Sequence, residues 1–452
     1  MKPGLGHGQA TLTSFVVSNA GTRYEPTSLR QRTLTMSVVN KLIIQCALPI
    51  SLVDHPCFRS CLADFDPKYL PPCRQTVANT ILPQMLQAKQ NELASFLSKC
   101  DNISLTTDIW TDRRMHSFLG VTAHTFSDGK PCAHLLAFQV FSGSHTGQKI
   151  ADAVESVVTQ NNLSGKVRCI VTDNASNMMK AMSVMFDIGE AVSVGNDVEV
   201  DDPSLWEDDC ENDLLNAFEC EHISCFAHSL QLVVRDGLAA MTMARLLLGK
   251  TSKLSNLIHQ SSLFRGVYEA AMGRGKIIPS ANATRWNSLY CQLKVVVELD
   301  QSTVNTVLRQ NNHENLVLST RDLTQLKEII TLLEPFSEAT LMTQGDKTVT
   351  ISCVVPILLS LRKHLLGCLE PSSSLTVAAT TLSQSLHSRL AGLFSLLGIP
   401  SDVSSHFNTL QYSSNIFLMT PALDPEYAFN WLQDHPGSSE DRDALRFKIS
   451  GV

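Results

Sequence analysis

The sequence predicts an α/β (α+β) fold in which a mixed sheet follows a helical N-terminal domain and precedes a large all-helical region. Apolar and polar residues alternate from 104 to about 140, as is typical of strands. Strand-like and helix-like segments then take turns up to about 240. From there to about 400 nearly every apolar stretch has helical spacing.

The N-terminal part is predicted to be helical. Residues 1–25 are rich in Gly, Ser and Thr and are expected to be disordered. Residues 26–102 have the pattern of short helices separated by prolines, and the clearest helix spans 76–100 with a kink or a new start at Pro83. We therefore expect an N-terminal helical domain at 26–102.

Residues 103–240 are expected to form the sheet domain. ISLTTDIW, SFLGVTAHTF and CAHLLAFQVF are predicted as three strands joined by turns. A helix over 146–163 follows, and the apolar run VRCIV then ends on Asp173. A right-handed crossover through that helix would place the fourth strand parallel to the first and beside it. HISCFAHSLQLVVRDGL predicts one more short strand that runs into a helix.

An acidic run interrupts this domain. Eleven Asp and Glu residues and no Lys or Arg lie between Asp197 and Glu221, so the formal net charge of −7 becomes +4 for the rest of the chain. Such a run is expected to be a solvated loop, here placed at 190–221. The negative total charge therefore does not exclude a nucleic-acid partner.

The C-terminal half is expected to be an all-helical insertion at 241–420, followed by a segment at 421–452. Leu323, Leu326, Ile330 and Leu333 predict one apolar helical stripe. The best apolar run, at 354–369, is interrupted by Arg362, Lys363 and His364 and is too short to span a membrane. No membrane partner is therefore expected.

The thirteen cysteines and the N-terminus indicate the compartment. An odd number of cysteines without a CxxC pair suits reduced, mostly buried thiols. The N-terminus shows no apolar signal-peptide region. We expect a nuclear protein, with the cytosol as the alternative.

Asp108 and Asp173 are the candidate site residues that the strand order predicts to lie together. Two carboxylates on neighbouring strands repel each other, and a divalent cation would compensate that repulsion. Each acid also has an ordinary structural explanation, since Asp173 could cap a helix and Asp108 could be an edge-strand or turn acid. From spacing alone, both explanations remain open.

Four possible zinc ligands lie in CEHISCFAH, namely Cys220, His222, Cys225 and His228. Their spacing is too tight for a structural finger, and a strand that runs into a helix would point them in different directions. Zinc is therefore not the expected cofactor, and buried thiols with a histidine at the sheet end are the alternative.

Several stretches together resemble the transposase-like domain of the hAT superfamily, and most of all its domesticated members in BED-type zinc-finger proteins. The matching stretches occur in family order over about 54–300 and are DHPCFRSCLADFDPKYLPPCRQTV, LTTDIWTDRRMHSFLGVTAHTF, CIVTDNASNMMKAM, CFAHSLQLVVRDGL and ATRWNSLYCQLKVVVEL. ALDPEYAF, further on, resembles another family segment. The resemblance implies an RNase H-like sheet interrupted by a large all-helical insertion.

The resemblance also assigns roles to individual residues. Asp108 and Asp173 match the first two acids of the catalytic Asp-Asp-Glu set, which holds two Mg²⁺ ions in active relatives. Cys225 and His228 match a CxxH motif and, with the Arg285–Trp286 pair, imply a DNA-binding role. Trp286 would stack on a base pulled from the duplex. Without the resemblance, Trp286 would be expected to be a core indole.

The sequence departs from the family pattern in two ways. The signature that carries the third acid has only a faint echo at 438–447, and neither the BED finger nor the C-terminal dimerisation segment is found. We therefore expect a truncated product with weak Mg²⁺ binding and weakened dimerisation. The leading hypothesis is a transposase-derived, non-catalytic nuclear protein that acts in DNA binding or transcriptional regulation. Its candidate partners are DNA, other proteins and a homologous transposase-like protein. The alternative is a Mg²⁺-dependent remnant that cleaves DNA and transfers strands.

Overall fold

The structure is a computed structural model that describes residues 23–112, 114–185, 220–281, 286–345, 348–369, 375–400 and 412–451. The acidic run at 197–221 therefore lies almost entirely outside the described residues, as does most of the N-terminal tail at 1–25. Chain contacts divide the protein into two compact units, and the boundary lies between Lys99 and Cys100.

The first unit consists of helices around a small core of its own. The helices are α1 (Leu29–Ser37), α2 (Pro56–Phe65), α3 (Arg74–Thr76) and α4 (Leu82–Ser98), with π-helical turns at Val38–Gln45 and Val77–Ile81 and a 3₁₀ turn at Ile50–Asp54. Pro83 is the second residue of α4, which directly follows the π-helical turn at Val77–Ile81, so α4 begins at the predicted kink or new start. The core comprises Val38, Val39, Ile43, Val53, Tyr69 and Val77.

The second unit contains a five-stranded mixed sheet. Its strands are β1 (Ile103–Thr111), β2 (Ser117–Ser127), β3 (Lys130–Val140), β4 (Val167–Thr172) and β5 (Glu221–Ser224), in the spatial order β3-β2-β1-β4-β5. β1 pairs with β2 antiparallel, β2 pairs with β3 antiparallel, and both β1–β4 and β4–β5 are parallel. This topology confirms the predicted mixed sheet, including a fourth strand that lies beside the first.

Alternation along β1 explains why this segment forms a strand. Ile103, Leu105 and Thr107 are buried on one face of the sheet, whereas Asp108 is exposed. Helix α5 (Gly147–Gln160) connects β3 to β4. Thr146 caps its N-terminus, and the side-chain oxygen of Thr146 accepts a hydrogen bond from the backbone N–H of Lys149. Its predicted stripe of Ile150, Val154, Val157 and Val158 is buried, as an amphipathic helix packed on a sheet requires.

Helices make up the rest of the second unit. They are α6 (Ser176–Met185), α7 (Phe226–Ala240), α8 (Thr242–Gln260), α9 (Ser262–Met272), α10 (Trp286–Glu298), α11 (Gln301–Gln310), α12 (Thr320–Thr343), α13 (Val354–Gly367), α14 (Thr376–Arg389), α15 (Ala391–Leu396), α16 (Ile416–Leu423) and α17 (Ser439–Ser450), with 3₁₀ turns at Glu314–Leu316, Ile351–Cys353 and Asn430–Asp434. No strand occurs in the described residues beyond β5.

The hydrophobic core of this helical part continues through α7 into the sheet. It runs from Cys169 and Ile223 in the sheet through Val233 in α7 to Phe336 in α12. On α12 the predicted stripe is partly displaced, since Leu326 and Leu333 are buried while Leu323 and Ile330 are half-buried at its margin. Ile329, Leu332 and Phe336 are buried as well, so the apolar face is wider than the predicted stripe.

Two further sequence expectations concern membranes and thiols. None of the helices in the described ranges combines the length and the apolar character that crossing a membrane requires. The twelve cysteines of the described part are all free thiols. The expectation that most are buried is wrong, because Cys169 and Cys353 are buried while five others are exposed.

Candidate functional site

The carboxyl ends of the parallel strands β1, β4 and β5 lie at one edge of the sheet. Asp173 directly follows β4 there, and Asp108 lies in β1 three residues before that strand ends. Thr106 of β1 is level with Val171 of β4 in the parallel register. Asp108 and Asp173 each follow two residues later, beyond the last pair of this register, Asp108 within β1 and Asp173 directly after β4. The crossover topology therefore puts β1 beside β4, and the direct approach of the two carboxylates stays a prediction.

The turn after β4 holds Asp173 in place. Its Oδ1 accepts a hydrogen bond from the backbone N–H of Ala175 at 3.2 Å, immediately before α6 begins at Ser176. One oxygen of this carboxylate is therefore used to shape the turn. On the other strand, Asp108 pairs with Gly120 of β2 and is exposed.

Cys225 lies at the same edge, where β5 passes into α7. Its backbone N–H donates to the carbonyl oxygen of Thr172 at 2.6 Å, which ties the start of α7 to the end of β4. Burial raises the pKa of the Cys225 thiol. Hydrogen bonds from the backbone N–H groups of His228 and Ala227 lower this pKa, and the negative charges of Asp173 and Asp108 raise it. The thiol is therefore protonated at neutral pH and adds no negative charge to the site.

His228 is in the first turn of α7 and experiences the same two carboxylates. Burial lowers the pKa of its imidazole, the charge of Asp173 acts in the opposite direction, and Arg235 and Arg389 lower the pKa again. Asp108 makes a smaller contribution that raises it. The fold thus brings Asp108, Asp173, Cys225 and His228 within electrostatic range of one another.

The possible zinc ligands do not form a cluster. Nε2 of His222 lies 2.9 Å from Oγ1 of Thr172, and burial lowers the pKa of this imidazole to about 4. Burial also raises the pKa of the Cys220 thiol, to about 11. In the described residues no three His, Cys, Asp or Glu side chains gather as a metal-binding group. The side chains that suit a hard divalent cation such as Mg²⁺ are the carboxylates of Asp108 and Asp173, because Mg²⁺ prefers oxygen ligands.

The remaining two predicted site residues are separate from this edge in the sequence. Arg285 lies outside the described residues. Trp286 is the first residue of α10, is 8% exposed and belongs to the helical core. Its ring packs edge-on against Tyr290 with the centroids 6.0 Å apart. The role of Trp286 in DNA contact therefore stays a prediction, and its burial agrees with the simpler expectation of a core indole.

Three polar residues behind the edge form a network that the sequence does not reveal. Nδ2 of Asn174 donates to Oγ of Ser229 at 2.7 Å, and the hydroxyl of Tyr412 lies 2.7 Å from the same oxygen. The side chain of Asn174 thus reaches α7. No local signal could identify Tyr412, because 183 residues separate it from Ser229.

An aromatic cluster covers the sheet face beside Asp108. Trp110, Phe118 and Phe138 contact one another with ring centroids 5.4 to 5.9 Å apart. Gly120 lies beneath them, since a Cβ on Gly120 would come 3.0 Å from the indole of Trp110. The glycine therefore lets the indole pack directly against the backbone next to Asp108.

Comparison with known proteins identifies the type of domain that contains this edge. Residues 106–193 match the family model described as the ZBED1 RNase-like domain, and this range includes both Asp108 and Asp173. The chain is similar to hAT transposases and to BED-type zinc-finger proteins. The match confirms the resemblance predicted from the motifs and the RNase H-like character of the sheet.

Three relatives illustrate the similarity. A putative transcriptional regulator, tpeD, of Talaromyces stipitatus is 25% identical over 76% of this chain and 41% of its own length. A putative AC transposase of Zea mays is 24% identical over 58% of this chain and 30% of its own. The human zinc finger BED domain-containing protein 4 is 22% identical over 78% of this chain and 29% of its own. The transposase-like chain thus spans less than half the length of these relatives.

Proposed function

We propose that this chain is a transposase-derived nuclear protein that binds DNA and acts in transcriptional regulation without cutting DNA. The names of its relatives include a transposase, BED-type zinc-finger proteins and a putative transcriptional regulator. These names motivate the class of function. The chemistry of the Asp108–Asp173 edge supports the more specific statement.

The observation that supports the proposal is that Asp108 and Asp173 each lie two residues beyond the paired Thr106 and Val171 of the neighbouring parallel strands β1 and β4. Two carboxylates at one edge repel DNA phosphates unless a cation lies between them. A bound Mg²⁺ would neutralise the pair and supply a positive charge for a phosphate oxygen. Asp108 and Asp173 would hold it, and the exposed position of Asp108 leaves that carboxylate accessible from solvent.

The charges around the pair argue against cleavage. Hydrolysis or transfer of a phosphodiester by two metals needs both ions fixed within about 4 Å of each other by several anionic ligands. Within the described ranges, the side chains with ligand atoms that interact electrostatically with both carboxylates include Cys225, which stays protonated, and His228, a nitrogen ligand whose pKa is lowered by burial. Neither attracts a second hard cation as a carboxylate would. We therefore expect a single ion, which binds a phosphate but does not activate a nucleophile and stabilise a leaving group at once.

A combined binding and cleavage assay tests this proposal. Purified chain is incubated with end-labelled duplex DNA in Mg²⁺ and, separately, in Mn²⁺, beside an Asp108→Asn variant. We expect a retarded complex that depends on the cation and contains intact DNA. Nicking or strand joining that the Asp108→Asn variant lacks would replace the proposal with the DNA-cleaving alternative. Absence of a complex even at low salt would overturn the DNA-binding role.

The nuclear assignment has a test of its own. A fluorescent fusion of the chain should accumulate in the nucleus of the host cell. A uniformly cytosolic fusion would contradict the regulatory role while leaving DNA binding in vitro to be decided by the binding assay.

A further inference from the structure

We propose that Tyr412 is a positioning residue that sets the geometry of the Asp173 carboxylate, and thereby the affinity of the edge for a divalent cation, through Ser229 and Asn174. This inference rests on the cation-binding step of the proposed function. It assigns a role at the site to a residue that lies after α15, 239 positions beyond Asp173 in the sequence.

The contacts form one unbroken chain from the helical core to the turn. The hydroxyl of Tyr412 lies 2.7 Å from Oγ of Ser229, and Nδ2 of Asn174 donates to that oxygen at 2.7 Å. Asn174 directly follows Asp173, whose Oδ1 accepts the N–H of Ala175. The side chains of two consecutive turn residues are thus fixed, one within the turn and the other to α7.

The orientation of the Asn174 side chain depends strongly on its hydrogen bond to Ser229. Its Oδ1 is buried, and within the described part of the protein it has no hydrogen-bond partner. The bond from Nδ2 to Ser229 and the contact of Asn174 with the hydroxyl of Tyr412 therefore determine the orientation of the amide. Without the hydroxyl of Tyr412, the side-chain amide of Asn174 would become more mobile. That movement would displace the adjacent backbone of Asp173.

Tyr412 is well suited to act as the fixed end of the chain. The residue is 3% exposed, and its ring packs against Phe226 at 6.4 Å and Phe417 at 5.6 Å between centroids. Burial raises the pKa of its phenol, so the hydroxyl keeps its proton. Its φ of 61° is in the left-handed region, which a bulky side chain adopts only where the surrounding packing imposes it.

The alternative is that Tyr412 only stabilises the core and does not affect the position of Asp173. Tyr268 provides a matched control, because it is also fully buried and its hydroxyl donates to the carbonyl oxygen of Lys276 at 2.8 Å. Tyr268→Phe and Tyr412→Phe each remove one hydroxyl from a buried ring. A purely structural role predicts the same consequences for the two variants.

The experiment measures Mn²⁺ binding by electron paramagnetic resonance in the full chain and in the Tyr412→Phe, Tyr268→Phe and Ser229→Ala variants. We expect Tyr412→Phe to weaken Mn²⁺ binding about tenfold, the lower end of the effect of removing groups that orient metal ligands. Tyr268→Phe should bind as the unaltered chain does. Ser229→Ala should also weaken Mn²⁺ binding, because it removes the oxygen that both Asn174 and Tyr412 contact. Equal Mn²⁺ affinity of folded Tyr412→Phe and the unaltered chain would overturn the inference.

A readout without metal separates this inference from the proposed function. Hydrogen exchange at the backbone N–H of Ala175, which donates to Asp173, should be faster in Tyr412→Phe than in Tyr268→Phe. Unchanged exchange would refute the positioning role whatever the metal result. Conversely, if the unaltered chain bound no Mn²⁺ while the exchange difference held, the proposed cation site would fail and the positioning of Asp173 would stand.

Discussion

Arg389 donates two hydrogen bonds to one carboxylate oxygen of Asp236, from Nη2 at 2.9 Å and from Nε at 3.1 Å. Ser385 Oγ donates to the same oxygen at 2.6 Å. Asp236 is on α7 and the other two residues are on α14, so the contact ties α14 to the helix that begins at the candidate site. The same arginine also lowers the pKa of His228.

Replacing Arg389 by Met should destabilise the protein by about 2 kcal/mol. The side chain of Arg389 is 9% exposed, so its removal leaves a mostly buried carboxylate with the weaker, more distant contact to Arg235 at 3.9 Å. The expected loss is below the ~3–5 kcal/mol of a fully buried pair, because Asp236 is 28% exposed. The measurement is the free energy of unfolding in urea.

Lys363→Met is the control for the Arg389 substitution. Lys363 contacts Asp434 at 2.7 Å, but its side chain is 74% exposed. Solvent screens such a pair, and its loss should cost less than about 1 kcal/mol. Equal losses for the two variants would show that burial does not determine the strength of the Arg389 contact.

Gly237→Ala should destabilise the protein by about 1–3 kcal/mol. Gly237 lies where α7 and α14 approach most closely, since a Cβ there would be 2.4 Å from Cδ2 of Leu382 and 2.5 Å from its Cγ. Gly249→Ala in α8 is the matched control, because a Cβ there meets nothing within 4 Å. That change should be neutral or stabilising by up to about 1 kcal/mol, from helix propensity. Thermal unfolding of both variants decides, and a stabilised Gly237→Ala protein would refute the close packing of the two helices.

The protein should become less stable as the pH falls from about 6.5 to about 4, because the pKa of His222 differs between the folded and the unfolded chain. Burial lowers the pKa of His222 from 6.5 to about 4, so in this range the unfolded chain binds a proton that the folded chain does not. The stabilisation is complete above pH 6.5 and declines by about 1.4 kcal/mol per pH unit until the folded protein is also protonated.

Urea unfolding at several pH values, beside His222→Gln, measures this effect. Gln retains a hydrogen-bonding group for Thr172 but does not titrate, so the variant should show a flatter dependence on pH. Parallel pH profiles would mean that another group causes the acid sensitivity.

Asp173→Asn should abolish the binding of Mg²⁺ by the chain. The change removes the negative charge from one of two carboxylates, and a neutral amide oxygen holds a hard cation far less strongly. Isothermal titration calorimetry measures the loss, with Asp152→Asn on the exposed face of α5 as the control. Equal binding by Asp173→Asn and the unaltered chain would place the ion elsewhere.

The strands and the two aspartates could be derived from local patterns. Alternating burial follows from the geometry of a strand, so Ile103, Leu105 and Thr107 mark β1 in the sequence itself. The right-handed crossover then puts β4, which ends one residue before Asp173, beside β1, which holds Asp108, because few connections between parallel strands are physically allowed. The motifs at 105–126 and 169–182 provided the RNase-like resemblance, which the match over 106–193 confirms.

The surroundings of the two aspartates could not be derived in this way. Tyr412 meets Ser229, and Arg389 meets Asp236, across 183 and 153 positions of the chain, and the packing of many intervening helices decides which residues meet. Trp286 shows the same limit, since one motif is compatible with either a surface stacking group or the core indole that is found. The sequence by itself determined the strand order, which puts Asp108 and Asp173 on or next to neighbouring strands, because that order follows from short-range periodicity and allowed connections. Tertiary packing decided how that pair is held and charged, because burial and long-range contacts exist only in the folded chain.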